Sequence, residues 1–174
     1  MPDRTGSITR SAGRATPDGF RSMMSGFPTG VAVVTATDSQ GRPWGMTCSS
    51  LCSATLDPPT LLVCLRAASP TLAAVVSSGG FAVNLLHDGA QATAELFASG
   101  CQDRFDRVGW FQDEADAGPH LWTDAHAVAD CEVERTVPVG DHVLVFGRVL
   151  TVEQRPDLLP LLYGLRRYSS WPVA

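Results

Sequence analysis

Lysine is absent from the 174 residues; all 13 basic side chains are arginine, against 18 acidic ones, for a net charge of −5. Without a basic excess, and with a pI near 5.2, the chain is not built to displace counterions from nucleic-acid phosphates. A phosphate-bearing small molecule stays compatible, because a few arginines in one cleft set the local potential. No apolar run nears the roughly 20 residues of a membrane span. Residues 1–16, polar and rich in Gly, Ser and Arg, hold no apolar signal-peptide core. They read as a tail ahead of one domain over 17–174, with no membrane partner and a cytoplasmic location expected.

Cys48, Cys52, Cys64, Cys101 and Cys131 are odd in number and contain no C-x-x-C, which argues against a disulfide framework or a zinc knuckle. Read as one strand, Cys48 and Cys52 would stand about 13 Å apart, too far to bridge. Reduced thiols serving as small apolar residues are expected. The chain also lacks G-x-G-x-x-G, a Walker loop, H-E-x-x-H and G-x-S-x-G, so any nucleotide is not held in the Rossmann manner. His87, His120 and His126 have no ligand-like spacing, and no metal is expected.

What is present is apolar enough, at 44% hydrophobic, to bury a core without staples. Phe20, Met23, Met24 and Phe27 fall at helical spacing, so a short helix is expected over Asp18–Ser25 with Asp18 as its cap. Strands are expected at Val31–Thr37, Trp44–Ser50, Thr60–Arg66, Phe81–Leu86, Ala125–Val137 and Val143–Glu153. Thr60–Arg66 reads as buried on both faces. Ala125–Val137 alternates, with Ala127, Ala129, Cys131 and Val133 on one face and His126, Asp130, Glu132 and Glu134 on the other. Pro70–Ser78 opens with Pro and stops at Gly79-Gly80, a helix signature, and Ala90–Ala98 reads as another helix. Six or seven strands with short helical connectors favour a mostly β fold, a closed antiparallel barrel, because closure removes exposed edges.

Three stretches could carry chemistry. Gly45-Met46-Thr47-Cys48-Ser49-Ser50 is rich in short hydroxyl residues. It reads either as an edge strand facing water or as a set of small donors for the ring edge and phosphate of a flavin. Arg66 precedes Ser69-Pro70-Thr71 at a helix start, where free amides and the helix dipole favour phosphate; Ser69 is equally a plain N-cap. Gly140-Asp141-His142 is a turn whose histidine is either surface or a donor over a reacting group. Asp103–Arg107 reads as a solvated helical turn. Tyr163, Tyr168 and Trp171 read as core or as a stacking platform.

The order of these stretches is more specific than any one of them. Phe20-Arg21, Pro28–Thr35, Gly45–Ser50, Asp57-Pro58-Pro59, Phe81–Leu86, Phe97-Ala98, Gly140-Asp141-His142, Leu161-Leu162-Tyr163 and Tyr168 together resemble the flavin reductase family with the FMN-binding split-barrel fold. The resemblance spans Phe20 to Trp171. It implies a homodimer of Greek-key split β-barrels that uses NADH or NADPH to reduce FAD or FMN for a partner flavin-dependent monooxygenase. It further implies that Trp44, Gly45, Met46, Thr47, Ser49 and Ser50 line the flavin ring and ribityl chain. Leu65, Arg66, Ser69, Pro70 and Thr71 would surround the phosphate, with Phe97 near the nucleotide. His142, as the catalytic-site residue, and Tyr163, Gly164, Leu165 and Arg166 would meet the nicotinamide nucleotide. Cys48, Cys52 and Pro70 depart from the residues common in the family. The lysine-free composition also resembles reductases of actinomycete antibiotic clusters, of the enediyne type. An oxidase of the same barrel class (pyridoxamine-phosphate oxidase-like) and a flavin carrier are the alternatives; the Gly-Asp-His turn favours the reductase.

Overall fold

The computed structural model describes residues 13–171; the tail expected over 1–16 lies outside them up to residue 12. The first helix, α1 (Pro17–Ser25), starts one residue earlier than the sequence suggests. Its cap is Thr16, whose hydroxyl accepts from the Gly19 amide at 3.1 Å, while Asp18 pairs with Arg21 instead. None of its side chains is buried, so the apolar face formed by Phe20, Met23 and Met24 points outward.

The remaining elements are β1 (Thr29–Gly30), β2 (Ala32–Thr37), β3 (Pro43–Cys48), β4 (Leu51–Leu56), β5 (Pro59–Arg66), α2 (Pro70–Ser78), β6 (Gly80–Leu86) and α3 (Gln91–Ala98). A 3-10 turn, Arg104–Arg107, follows, then β7 (Ala125–Val139), β8 (His142–Gln154), β9 (Leu161–Gly164) and β10 (Arg167–Ser170). Seven strands form one antiparallel sheet in the order β3-β2-β6-β7-β8-β5-β4, and β1-β9-β10 form a second. The closed barrel is not what these ladders form. The sheet ends on β3 and β4, and among the described residues no ladder joins those two edges. They are nonetheless consecutive in the chain, linked by Ser49-Ser50, and the Ser50 carbonyl accepts from the Cys64 amide at 3.2 Å. Val34 and Phe81, from adjacent β2 and β6, share one core cluster with Val63 and Val145, from adjacent β5 and β8 on the other side of β7, so the sheet wraps around it.

Three expectations need correction. The strand over Trp44–Ser50 ends at Cys48, and a separate strand follows from Leu51, because the chain changes sheet edge at Ser49-Ser50. In β5 only Thr60, Val63 and Leu65 are buried; Leu61, Leu62 and Cys64 are half-covered, since β4 and the outer face carry no second layer there. In β7 the supposed polar face is buried at Asp130, and bulges after Asp130 and Val133 break the alternation.

The cause of that burial is the segment between the 3-10 turn and β7, in which no element is visible from sequence. It straps across β2, β6 and β7. Thr35 Oγ1 donates to the Pro119 carbonyl at 2.6 Å, and the Leu121 amide donates to Asn84 Oδ1 at 2.7 Å. The Ala117 amide donates to Asp130 Oδ1 at 2.8 Å, His120 Nε2 lies 3.0 Å from the same oxygen, and Thr151 donates to Oδ2 at 2.9 Å. Asp116, His120 and Asp130 thus bring their polar atoms within 4.8 Å of one another. Both Asp130 oxygens are occupied by protein donors, so the group acts as a clasp.

Candidate functional site

A cleft of about 570 Å³ opens between β3, the start of α2 and the end of α3. Its polar end is built from helix grammar. Ser69 caps α2 by accepting from the Thr71 amide at 3.1 Å, and Pro70 occupies the first helical position, where no amide is needed. The N-terminal amides and the dipole of α2 therefore face a space that Arg66, Ser69, Pro70 and Thr71 also line. Backbone donors, a helix N-terminus and a guanidinium together suit an anion.

The apolar end is walled by Trp44, Met46 and Phe97. Trp44 is held from outside the cleft: its indole Nε1 donates to Asp38 Oδ2 at 2.9 Å, and the Arg42 guanidinium lies 5.7 Å from its ring. These bonds, that from Trp44 foremost, hold the Asp38 carboxyl well below the usual carboxylate range. Beneath the wall Gly45 allows close packing, since a Cβ there would come within 2.8 Å of the buried Phe97 ring. The Gly45 carbonyl accepts from Arg104 Nη1 at 2.7 Å. Arg104 lines the cleft although it is only 8% exposed, and burial pulls its pKa down. His142 is not among the cleft-lining residues; it lies opposite Arg66 across the β5–β8 ladder, and its Nδ1 is 2.7 Å from Asp141 Oδ1. That bond to His142 holds the exposed Asp141 carboxyl low.

Comparison with known proteins shows the family. Residues 24–172 match the flavin reductase like domain family. The chain is 51% identical over 162 residues to "Flavin reductase (NADPH)" of Lentzea aerocolonigenes, covering 93% of this chain and 94% of that one. The chain belongs to the flavin reductase-like family. It is also 34% identical, over 98% of this chain and 86% of the relative, to "Flavin-dependent monooxygenase, reductase subunit HsaB" of Rhodococcus jostii. Among solved structures, the Streptomyces globisporus C-1027 NADH:FAD oxidoreductase SgcE6 superposes with a TM-score of 0.84 at 30% identity, covering 94% of this chain and all of that one.

Within this flavin reductase-like chain, the residues singled out from sequence separate into groups. Trp44, Met46, Thr47, Arg66, Ser69, Pro70, Thr71 and Phe97 converge on the cleft. Thr47 lines it, yet its hydroxyl proton goes to the Ala94 carbonyl at 2.6 Å, tying β3 to α3. Leu65 does not reach the cleft; its side chain is fully buried in the main core. Ser49 borders a different cavity, and the Ser50 hydroxyl donates to the Cys64 carbonyl. Tyr163, Gly164, Leu165 and Arg166 lie on the β9–β10 hairpin, away from the cleft. Leu165 and Arg166 there adopt left-handed φ of 51° and 60°, and the Leu165 amide donates to Ser25 O at 2.6 Å. Tyr163 and Tyr168 pack ring to ring at 5.1 Å against the second core cluster. Sequence reading missed Gln102 and Arg104. Arg104 sits inside a charge run that resembles a solvated turn, and nothing local marks it as buried.

Proposed function

We propose that the cleft binds the flavin ring and phosphate, and that His142, across the β5–β8 ladder from Arg66, meets the nicotinamide nucleotide. The chain is an NAD(P)H-dependent flavin reductase that supplies reduced FAD or FMN to a monooxygenase component. The observation that carries the site is that Arg66, Ser69, Thr71 and Phe97, from three separate elements, line one space of about 570 Å³. That volume falls within the roughly 300–1,000 Å³ of small-molecule sites.

When both are bound, nicotinamide and flavin supply the redox chemistry between them, a hydride passing from C4 to N5. The protein's part is to hold the rings at about 3–3.5 Å and keep water out. Trp44, Met46 and Phe97 exclude solvent, while Arg66 and the α2 N-terminus hold the phosphate. His142, oriented by Asp141, places the nicotinamide over the rim. No nucleophile is asked of the chain.

The reading extends to a homodimer of split barrels, in the cytoplasm, serving antibiotic biosynthesis. In support of the dimer, edge strand β4 is exposed almost throughout, and an apolar chamber lined by Leu56, Leu61, Val149 and Val152 opens beside it. In support of a reducing compartment, all five cysteines are free. Among the described residues no helix is long and apolar enough to cross a membrane.

Mixing the purified chain with FAD or FMN and NADH or NADPH, and following the loss of reduced-nicotinamide absorbance, tests the activity. At least one of the four combinations turns over rapidly; no consumption in any of them would reject the assignment. In the same assay His142→Ala raises the KM for the nicotinamide nucleotide several-fold more than that for flavin. Equal effects would remove His142 from that role.

A further inference from the structure

We infer that Asp38 is a positioning residue for flavin binding, acting through the indole of Trp44 and not by touching the ligand. The inference rests on the flavin cleft proposed above, whose apolar wall includes Trp44. Asp38 itself is not among the residues lining that cleft.

The two carboxylate oxygens of Asp38 serve different ends. Oδ1 accepts from the Gln40 and Arg42 amides at 2.9 and 3.0 Å. With the Gly41 amide donating to the Asp38 carbonyl at 2.9 Å, these bonds close the turn between β2 and β3. Oδ2 takes no backbone donor of that turn; it accepts from Trp44 Nε1 at 2.9 Å and from Arg42 Nε at 3.1 Å. A half-buried indole could give its proton to water, so burial does not demand the first of these bonds. What the bond does is fix the ring. Trp44 stands on β3, an edge strand paired on one side only, and its partner across the ladder is Ala36, too small to pin an indole. Packing against the main core supports the ring on one side, and the in-plane bond to a carboxylate anchored in the turn sets its rotation. A wall already held in place needs no ordering when the ligand arrives.

Asp38→Asn separates the two oxygens. The amide oxygen takes over from Oδ1 and keeps the turn, while the amide nitrogen replaces Oδ2 and sets a donor against the indole donor, so that bond is lost. Titration calorimetry of the full chain with FAD and with FMN is expected to show the flavin bound roughly three- to tenfold more weakly, the order of the cost of ordering one side chain. The denaturant midpoint stays at the wild-type value, and in turnover the KM for flavin rises while kcat at saturating flavin is kept. Trp44→Phe removes the same bond from the other side: it keeps an aromatic wall and the turn contacts of Asp38 but has no N–H, and it weakens flavin by a similar factor. The double variant binds no more weakly than the more affected single one, because both changes remove one bond. Wild-type flavin affinity in either single variant would overturn the inference. So would additive losses in the double variant, which would route the effect through Arg42 or the turn. If the wild-type chain binds neither flavin, the cleft reading itself fails; if it binds flavin and the variants bind it equally well, only the inference fails.

Discussion

His120 and Asp130 show how a buried pair sets the pH range of stability. His120 is 1% exposed. Burial is the largest single influence on it and pulls its pKa down. The Asp130 bond and the charges of Asp130, Asp116 and Glu153 outweigh burial and leave the pKa raised. Burial likewise pushes Asp130 up, and the donors His120, Ala117 and Thr151 bring it below its ordinary value. The depressed Asp130 contributes stability present above about pH 4 and lost as pH falls through its folded value. The raised His120 contributes stability fully present below about pH 6.5 and lost as pH rises through its folded value. The clasp is therefore strongest between those limits. Asp130→Asn should cost about 3 kcal/mol near pH 6, as expected when one partner of a buried pair is removed, and should flatten the fall in urea stability above neutrality. A variant with the wild-type pH slope would show that the pair does not control it. His120 Nδ1 has no hydrogen-bond partner among the described residues, which leaves Asp130 as the ring's main support.

The strands depend on one close approach in particular. Gly147 of β8 faces Gly-sized space: a Cβ there would come within 2.4 Å of Phe81 Cζ and 3.0 Å of Cys131 Cβ, both on fully buried side chains. Gly147→Ala should lower stability by about 2 kcal/mol through overpacking, read as a lower denaturant midpoint at unchanged m-value. No change in midpoint would mean that Phe81 moves freely. Local rules identify several elements well. α2 was legible because Pro70, its Ser69 cap and Gly79 at φ 76° are local chemistry. The separation of β3 from β4 was not, because no glycine or proline marks Ser49-Ser50 and the break exists only to carry the chain between two sheet edges. β1, β9 and β10 are two to four residues long, too short for a period-two pattern to register.

For the whole chain, the exposed apolar residues on and beside β4 bear on assembly. Leu56 is 85% exposed, and Leu150 and Val152 are both more than half exposed, a combination that marks an interaction surface rather than scattered surface residues. Wild-type protein should sediment as a dimer, and Leu56→Asp should shift it toward monomer by placing a charge in that surface. A wild-type monomer at micromolar concentration would remove the homodimer from the proposal.

Composition, β-branched runs and helix-end signals determined by themselves that this protein is mostly β and that α2 begins beside Arg66. Each of these is set by neighbours within a few residues. Only the tertiary structure decided that Leu65 belongs to the core, that the Thr47 proton goes to α3, that Asp130 is buried, and that Arg104 lines the cleft. Burial and counter-ion supply depend on segments 13 to 59 positions away in the chain, and no local pattern encodes which of them will arrive.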